Sequence, residues 1–178
     1  MSDSVIVVML EGPDGAGKTT LADELCSKLR LRYHHEGPPK PGSGSLQDTY
    51  VGVLVRQLAA AKAEGLRGVV LDRFGLSELC YAPLAGRQDR LGEEGWSALS
   101  AELTRLRAVR ILCLPSLEAC RRAWASGREE LLGSSDLLNA AWRFYEGRRL
   151  TEPWDHVHDW ERAGSSAHVL AVVARRAR

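Results

Sequence analysis

The stretch Glu11–Thr20, EGPDGAGKTT, limits this chain more than any other. Gly12-Pro13-Asp14-Gly15-Ala16-Gly17-Lys18-Thr19 satisfies G-x-x-x-x-G-K-[ST]. Val5–Leu10 before it is a continuous apolar run, suited to a strand buried on both faces. After it, Leu21, Ala22, Leu25 and Leu29 make a helical stripe over Thr19–Leu31. Strand, glycine turn and helix in that order form an anion cradle. Glycines admit positive φ and leave no Cβ in the way, so successive backbone N–H groups turn inward around phosphates. The amino end of the helix adds its partial positive charge. The nucleotide contacts expected are Gly12, Asp14, Gly15, Ala16, Gly17, Lys18, Thr19 and Thr20. Lys18 reaches the β- and γ-phosphates, and the Thr19 hydroxyl takes Mg²⁺.

The rest of the chain alternates in the same way. Strands are expected at Arg32–His35, Gly68–Asp72, Arg110–Leu114 and His156–Trp160. Helices are expected at Asp48–Glu64, Glu93–Arg107, Leu117–Trp124, Asp136–Arg148 and Ser165–Ala174. Such alternation means an α/β domain with a parallel sheet covered on both faces. No repeat or linker divides residues 1–178, and 178 residues suit one well-buried domain. The Pro/Gly/Ser stretch Pro38–Ser45 follows a strand end and reads as the edge of a site.

Charge and cysteine usage set the class. Lys+Arg 24 against Asp+Glu 23 leaves +1, so no bulk field recruits DNA or an acidic membrane. The cysteines Cys26, Cys80, Cys113 and Cys120 lack metal-ligand spacing and read as reduced, packed thiols of a cytoplasmic protein. No apolar run is long enough to span a membrane. The tryptophans, Trp160 among them, read as packing residues, and Arg175–Arg178 as a frayed tail.

A second motif narrows the chemistry. In LDRFGLSELCYAP (Leu71–Pro83), Asp72 ends a buried strand and can hold Mg²⁺ directly or through its water. Arg73 points away from it, able to hold an acceptor phosphate or the transferring phosphoryl group. Phe74 offers a flat face for a base. Ser77 and Tyr81, four apart, can line the same cleft from a helix.

EGPDGAGKTT together with DRF..S...Y resembles the thymidylate kinase group of P-loop nucleotide kinases. Its pattern is approximately EG.DGAGKTT and DRY..S..AY. RRAWASGREE (Arg121–Glu130) resembles that group's Arg-bearing LID, here about residues 117–133. The resemblance implies a P-loop kinase fold with a five-stranded parallel sheet and helices on both faces, ATP and Mg²⁺ as cofactors, and Arg73 on the acceptor phosphate. It also implies a small-molecule nucleotide partner and the homodimers common in the group. Some members carry an Arg at the position of Gly15. Here the catalytic Arg has to come from the LID, with Arg128 first, Arg122 second and Arg121 also in reach.

The chain departs from the group where the acceptor sits. His34-His35-Glu36-Gly37-Pro38-Pro39 replaces Arg-Glu-Pro-Gly-Gly, and Ala82 replaces the usual Gln after Tyr81. Of His34 and His35, adjacent on a strand, at most one reaches the cleft. Three readings follow. The leading one is transfer of the ATP γ-phosphoryl group to a deoxynucleoside monophosphate. Its second phosphate pKa near about 6 makes it a dianion that needs no general base. The second is a hydroxyl acceptor, either a deoxynucleoside or a hydroxymethylated pyrimidine in DNA. Its proton must pass to a carboxylate, Glu36 or Asp14. The third is a nucleotide-binding NTPase without an acceptor. Asp14 serves either acceptor, as a hydrogen-bond partner for a sugar hydroxyl or as a base.

Overall fold

The apolar run before the glycine turn is β1 (Ile6–Glu11), buried at every residue. It opens a computed structural model that describes residues 5–38, 45–126 and 133–176. The turn delivers the chain into α1 (Lys18–Leu29). Arg30, left-handed at φ 57°, ends that helix and feeds the edge strand β2 (Leu31–His35). Helix α2 (Leu46–Ala63) starts two residues before the expected Asp48, because the Ser45 side chain caps it by accepting from the Asp48 N–H at 3.4 Å.

The second buried run is β3 (Gly68–Asp72), followed by α3 (Leu76–Leu84) and α4 (Gly92–Arg105). Next come β4 (Val109–Cys113), α5 (Leu117–Ala125) and α6 (Ser135–Arg148). The chain closes with β5 (His156–His158) and α7 (Ser165–Arg176). The five strands are all parallel, in the order β2-β3-β1-β4-β5. Helices α1 and α7 pack on each other and on the sheet, while α2, α3, α4 and α6 form a second contiguous layer. Every residue of β1, β3 and β4 is buried, as strands covered on both faces must be. Each aliphatic side chain so buried contributes about 1.5–3 kcal/mol. Since β1 lies inside the sheet with its sequence neighbour β2 two strands away, the loop after β1 opens at a topological switch point.

Three expectations are corrected. Strand β5 ends at His158 rather than Trp160, because the Asp159 carboxylate turns the chain by accepting from the Glu161 N–H at 3.0 Å. The tail is not frayed over Arg175 and Arg176. Helix α7 runs through both, and Arg176 pairs with Asp155 at 3.0 Å. Phe74 is fully buried with its ring edge-on to Tyr50, 5.1 Å between centroids, so it offers no face to a base. Cys80, Cys113 and Cys120 are buried free thiols, and Cys26 is a partly buried one. Among the described residues no helix is long and apolar enough to cross a membrane.

The far edge of the sheet carries a pH dependence. His158 is buried, with Nδ1 2.9 Å from the Ser165 hydroxyl, and burial and then His156 hold its pKa below the ordinary value. Burial and then His168, whose ring lies 4.5 Å away, do the same for His156. Both contribute stability that is complete above about pH 6.5, the unfolded value, and lost as pH falls below it. Thermal melts at about pH 7.5 and about pH 5.5 should therefore show a smaller acid loss in His158→Asn than in the wild type.

Candidate active site

Gly12, Gly15 and Gly17 have φ of 149°, 72° and 79°. Space demands glycine as much as the dihedrals do. A Cβ on Gly12 meets the Cys113 carbonyl oxygen at 2.1 Å, one on Gly15 the Cys120 carbonyl oxygen at 2.5 Å, and one on Gly17 the Trp160 ring at 2.9 Å. The turn is therefore clamped from β4, α5 and the segment after β5. There is no room at Gly15 for the Arg that some thymidylate kinases carry.

Lys18 is buried, its Nζ donating to the carbonyls of Gly12 at 2.9 Å and Pro13 at 2.6 Å. Burial and then the nearby Arg73 lower its pKa, against the raising fields of Asp72 and Asp14. Asp72 closes the cradle from β3 and is 1% exposed. Its Oδ2 accepts from the Thr19 hydroxyl at 3.2 Å and the Tyr33 hydroxyl at 3.0 Å. Burial works to raise its pKa, but His35, Lys18, Tyr33 and Arg73 together bring it below the ordinary value. Its Oδ1 is buried without a hydrogen-bond partner. An orphaned carboxylate oxygen beside the Thr19 hydroxyl is an oxygen donor set that fits Mg²⁺.

Arg73 leaves the sheet in a left-handed conformation, φ 66°, uncommon for a residue with a side chain and costing about 1–3 kcal/mol. That turn swings its guanidinium over Tyr81, 4.5 Å from the ring centroid, and onto Asp14. Asp14 Oδ1 accepts from Arg73 Nη2 and from the Tyr81 hydroxyl at 3.1 Å. The carboxylate in the anion loop is thus the counter-ion of Arg73. Asp14 Oδ2 and Arg73 Nη1 are both buried with no partner.

Two cavities meet at Arg73, which lines both. The larger, about 500 Å³, is lined by the glycine turn, Asp72, His35, Ala123, Ser126 and Trp160. The smaller, about 30 Å³, is lined by Glu36, Tyr50, Ser77, Glu78, Tyr81 and Arg87. The alternation of β2 sends Tyr33 and His35 toward Asp72. It leaves His34 on the other side, its Nε2 2.7 Å from Glu36 Oε2. His35 alone of the adjacent pair lines the larger cavity.

Lys18, Thr19, Asp72, Arg73, Asp14, Ser77, Tyr81 and Glu36 therefore all stand at these two cavities. Phe74 does not. Arg121 faces Asn139 at 3.1 Å and Arg122 pairs with Glu161 at 2.7 Å, and neither is among the residues lining these two cavities. Arg128 lies outside the described residues, as does most of the loop from Pro38 to Ser45.

Glu11, Tyr33, Glu78, Arg87 and Trp160 were not singled out from the sequence. Glu11 is fully buried and accepts from the Phe74 N–H at 2.7 Å, the Ser77 hydroxyl at 2.5 Å and the Tyr145 hydroxyl at 2.9 Å. It satisfies N–H groups at the start of α3 and so holds the turn that carries Arg73. Burial raises its pKa, with those hydrogen bonds opposing. The signal for Glu11 was an acid ending an otherwise apolar strand. Trp160, 41% exposed and lining the larger cavity beside Gly17, gave no signal beyond its place at the end of an expected strand.

No protein-family model matches the chain, and no curated protein matches it. Solved structures do. The YorR protein of Bacillus subtilis, in complex with phosphorylated GDP, matches at TM-score 0.72 and 18% identity over 96% of both chains. Deoxyadenosine kinase from M. mycoides, with products dCMP and a flexible dCDP, matches at TM-score 0.54 and 15% identity over 96% of this chain and 98% of that one. The same enzyme with bound dATP matches at TM-score 0.51 and 16% identity over the same shares. These likenesses extend over nearly the whole chain and show a shared fold, the five-stranded all-parallel α/β fold.

Proposed function

We propose that this chain is an ATP- and Mg²⁺-dependent P-loop kinase whose acceptor is a hydroxyl group of a small deoxynucleoside. The observation that carries this reading is the charge around the smaller cavity. Arg73 is matched by Asp14 and Arg87 by Glu78 at 3.3 Å, so Glu36, whose Oε2 lies 2.7 Å from His34 Nε2, adds a negative charge there wherever His34 is neutral. A dianionic phosphate acceptor meets repulsion there, whereas a neutral hydroxyl meets the carboxylate it needs. Glu36 suits the role of base better than Asp14, since it meets one histidine through Oε2 whereas Asp14 Oδ1 already accepts from a guanidinium and a phenol. That the similar folds include deoxyadenosine kinases agrees with this choice.

In this reading the amides of Gly15–Thr19 and Lys18 hold the ATP phosphates, and Trp160 offers the donor base a ring to stack on. Thr19 and Asp72 would hold Mg²⁺, which would offset the charge of the phosphates. The acceptor oxygen attacks the γ-phosphorus, and its proton passes to Glu36. The bond from the γ-phosphorus to the bridging oxygen breaks, and ADP leaves. Arg73, at the junction of the cavities, lies where the transferring group passes.

A second reading, a thymidylate kinase-like enzyme with a deoxynucleoside monophosphate acceptor, is favoured by one observation. Arg73 Nη1 is a buried donor without a partner, available to a phosphate. An ATP-consumption panel separates the readings, using deoxynucleosides, their monophosphates, and DNA with normal or hydroxymethylated pyrimidines. Turnover with deoxynucleosides supports the proposal. Turnover confined to monophosphates or to DNA overturns it, and ATP loss without any acceptor points to an NTPase.

A further inference from the structure

Asp72 is nearly inaccessible, at 1% exposure, yet its two oxygens are treated unequally. Oδ2 accepts from Thr19 at the start of α1 and from Tyr33 on β2, whereas Oδ1 accepts from nothing. A carboxylate kept only for the fold gains most by spreading its donors over both oxygens, since a buried orphan costs about 1–3 kcal/mol. Here the donors converge on one side and leave the other for a ligand.

We propose that Tyr33 is the positioning residue of a divalent-cation site at Asp72. Its hydroxyl saturates Oδ2 and turns Oδ1 toward the cation or a water that the cation holds. The inference rests on the reading that Thr19 and Asp72 take Mg²⁺. Tyr33 reaches Asp72 because of register. On the edge strand β2, His35 pairs with Asp72 and Tyr33 with Val70, so Tyr33 is the diagonal neighbour of Asp72 across the ladder. His35 is a looser partner of the same oxygen, its Nδ1 3.7 Å from Oδ2, beyond hydrogen-bond range. Removing one hydroxyl at an edge residue 39% exposed leaves the packing of the sheet in place.

The test is a Mn²⁺ titration followed by electron paramagnetic resonance, on the full chain with a non-hydrolysable ATP analogue. Tyr33→Phe should weaken Mn²⁺ binding by about 10–100-fold, the size usual for a lost outer-shell partner. Binding of the analogue in EDTA and the melting temperature should stay at wild-type values. Mn²⁺ affinity unchanged in Tyr33→Phe but lost in Asp72→Asn overturns the role of Tyr33 and leaves the cation site standing. Affinity unchanged in both variants overturns the cation site as well. A melting temperature that drops together with EDTA-phase binding shows Tyr33 to be structural, and also overturns the inference.

Discussion

Replacing Lys18 with Ala should cut ATP-dependent turnover by about 10²–10³-fold or more, the range seen when a preorganised charge donor is lost from a transition state. Lys18 is anchored within its own turn, Nζ against the Gly12 and Pro13 carbonyls. In a water-poor site its ammonium is worth far more to the phosphates than it is in solution. Burial already works against its charge. The phosphates supply the negative charge that stabilises the ammonium, so the variant should lose nucleotide affinity along with rate. Coupled-assay turnover at saturating acceptor, with thermal melting as a control for folding, checks this. A folded variant retaining turnover within about tenfold of wild type contradicts the assignment of the glycine turn as the donor site.

Glu36→Gln has the second largest expected effect, and its size identifies the acceptor. With a hydroxyl acceptor the amide cannot take the proton, and kcat should fall by about 10²–10⁴-fold. With a monophosphate acceptor no proton moves, and the neutral amide relieves repulsion, so kcat should change by less than about tenfold. The variant is isosteric and sits at a partly exposed position on the rim of the smaller cavity, so folding should hold. Parallel kinetics on a deoxynucleoside and its monophosphate give the comparison directly. Equal small effects on both acceptors remove Glu36 as the base.

Much of this architecture can be read in the chain itself. Continuous apolar runs such as Val5–Leu10 and Gly68–Asp72 have one stable use, a strand buried on both faces, and the structure places them side by side as β1 and β3. Element ends were less legible, because caps are single-residue events. Ser45 begins α2 with one side-chain hydrogen bond, and Asp159 ends β5 with another. Phe74 misled because a ring next to a functional Arg faces core or cleft with equal ease in sequence. Its burial against Tyr50 depends on where α2 lies. Trp160 packs on the glycine turn yet stays 41% exposed, because β5 ends two residues before it.

The sequence by itself determined the glycine turn and the lysine it carries. A glycine-turn cradle is a local object of strand, turn and helix start, and most of its residues are neighbours in sequence, with Asp72 joining from β3. Tertiary structure alone decided the partnerships. Asp14 and Arg73 are 59 residues apart, Glu11 and Tyr145 are 134 apart, and Tyr33 and Asp72 are 39 apart. The first and last exist because parallel strands from distant parts of the chain lie side by side, and the second because α6 packs over the end of β1. Low dielectric there makes paired charge stable and unpaired charge costly. The acid in the anion loop has a partner in the fold itself. It is the counter-ion that fixes Arg73 between the two cavities.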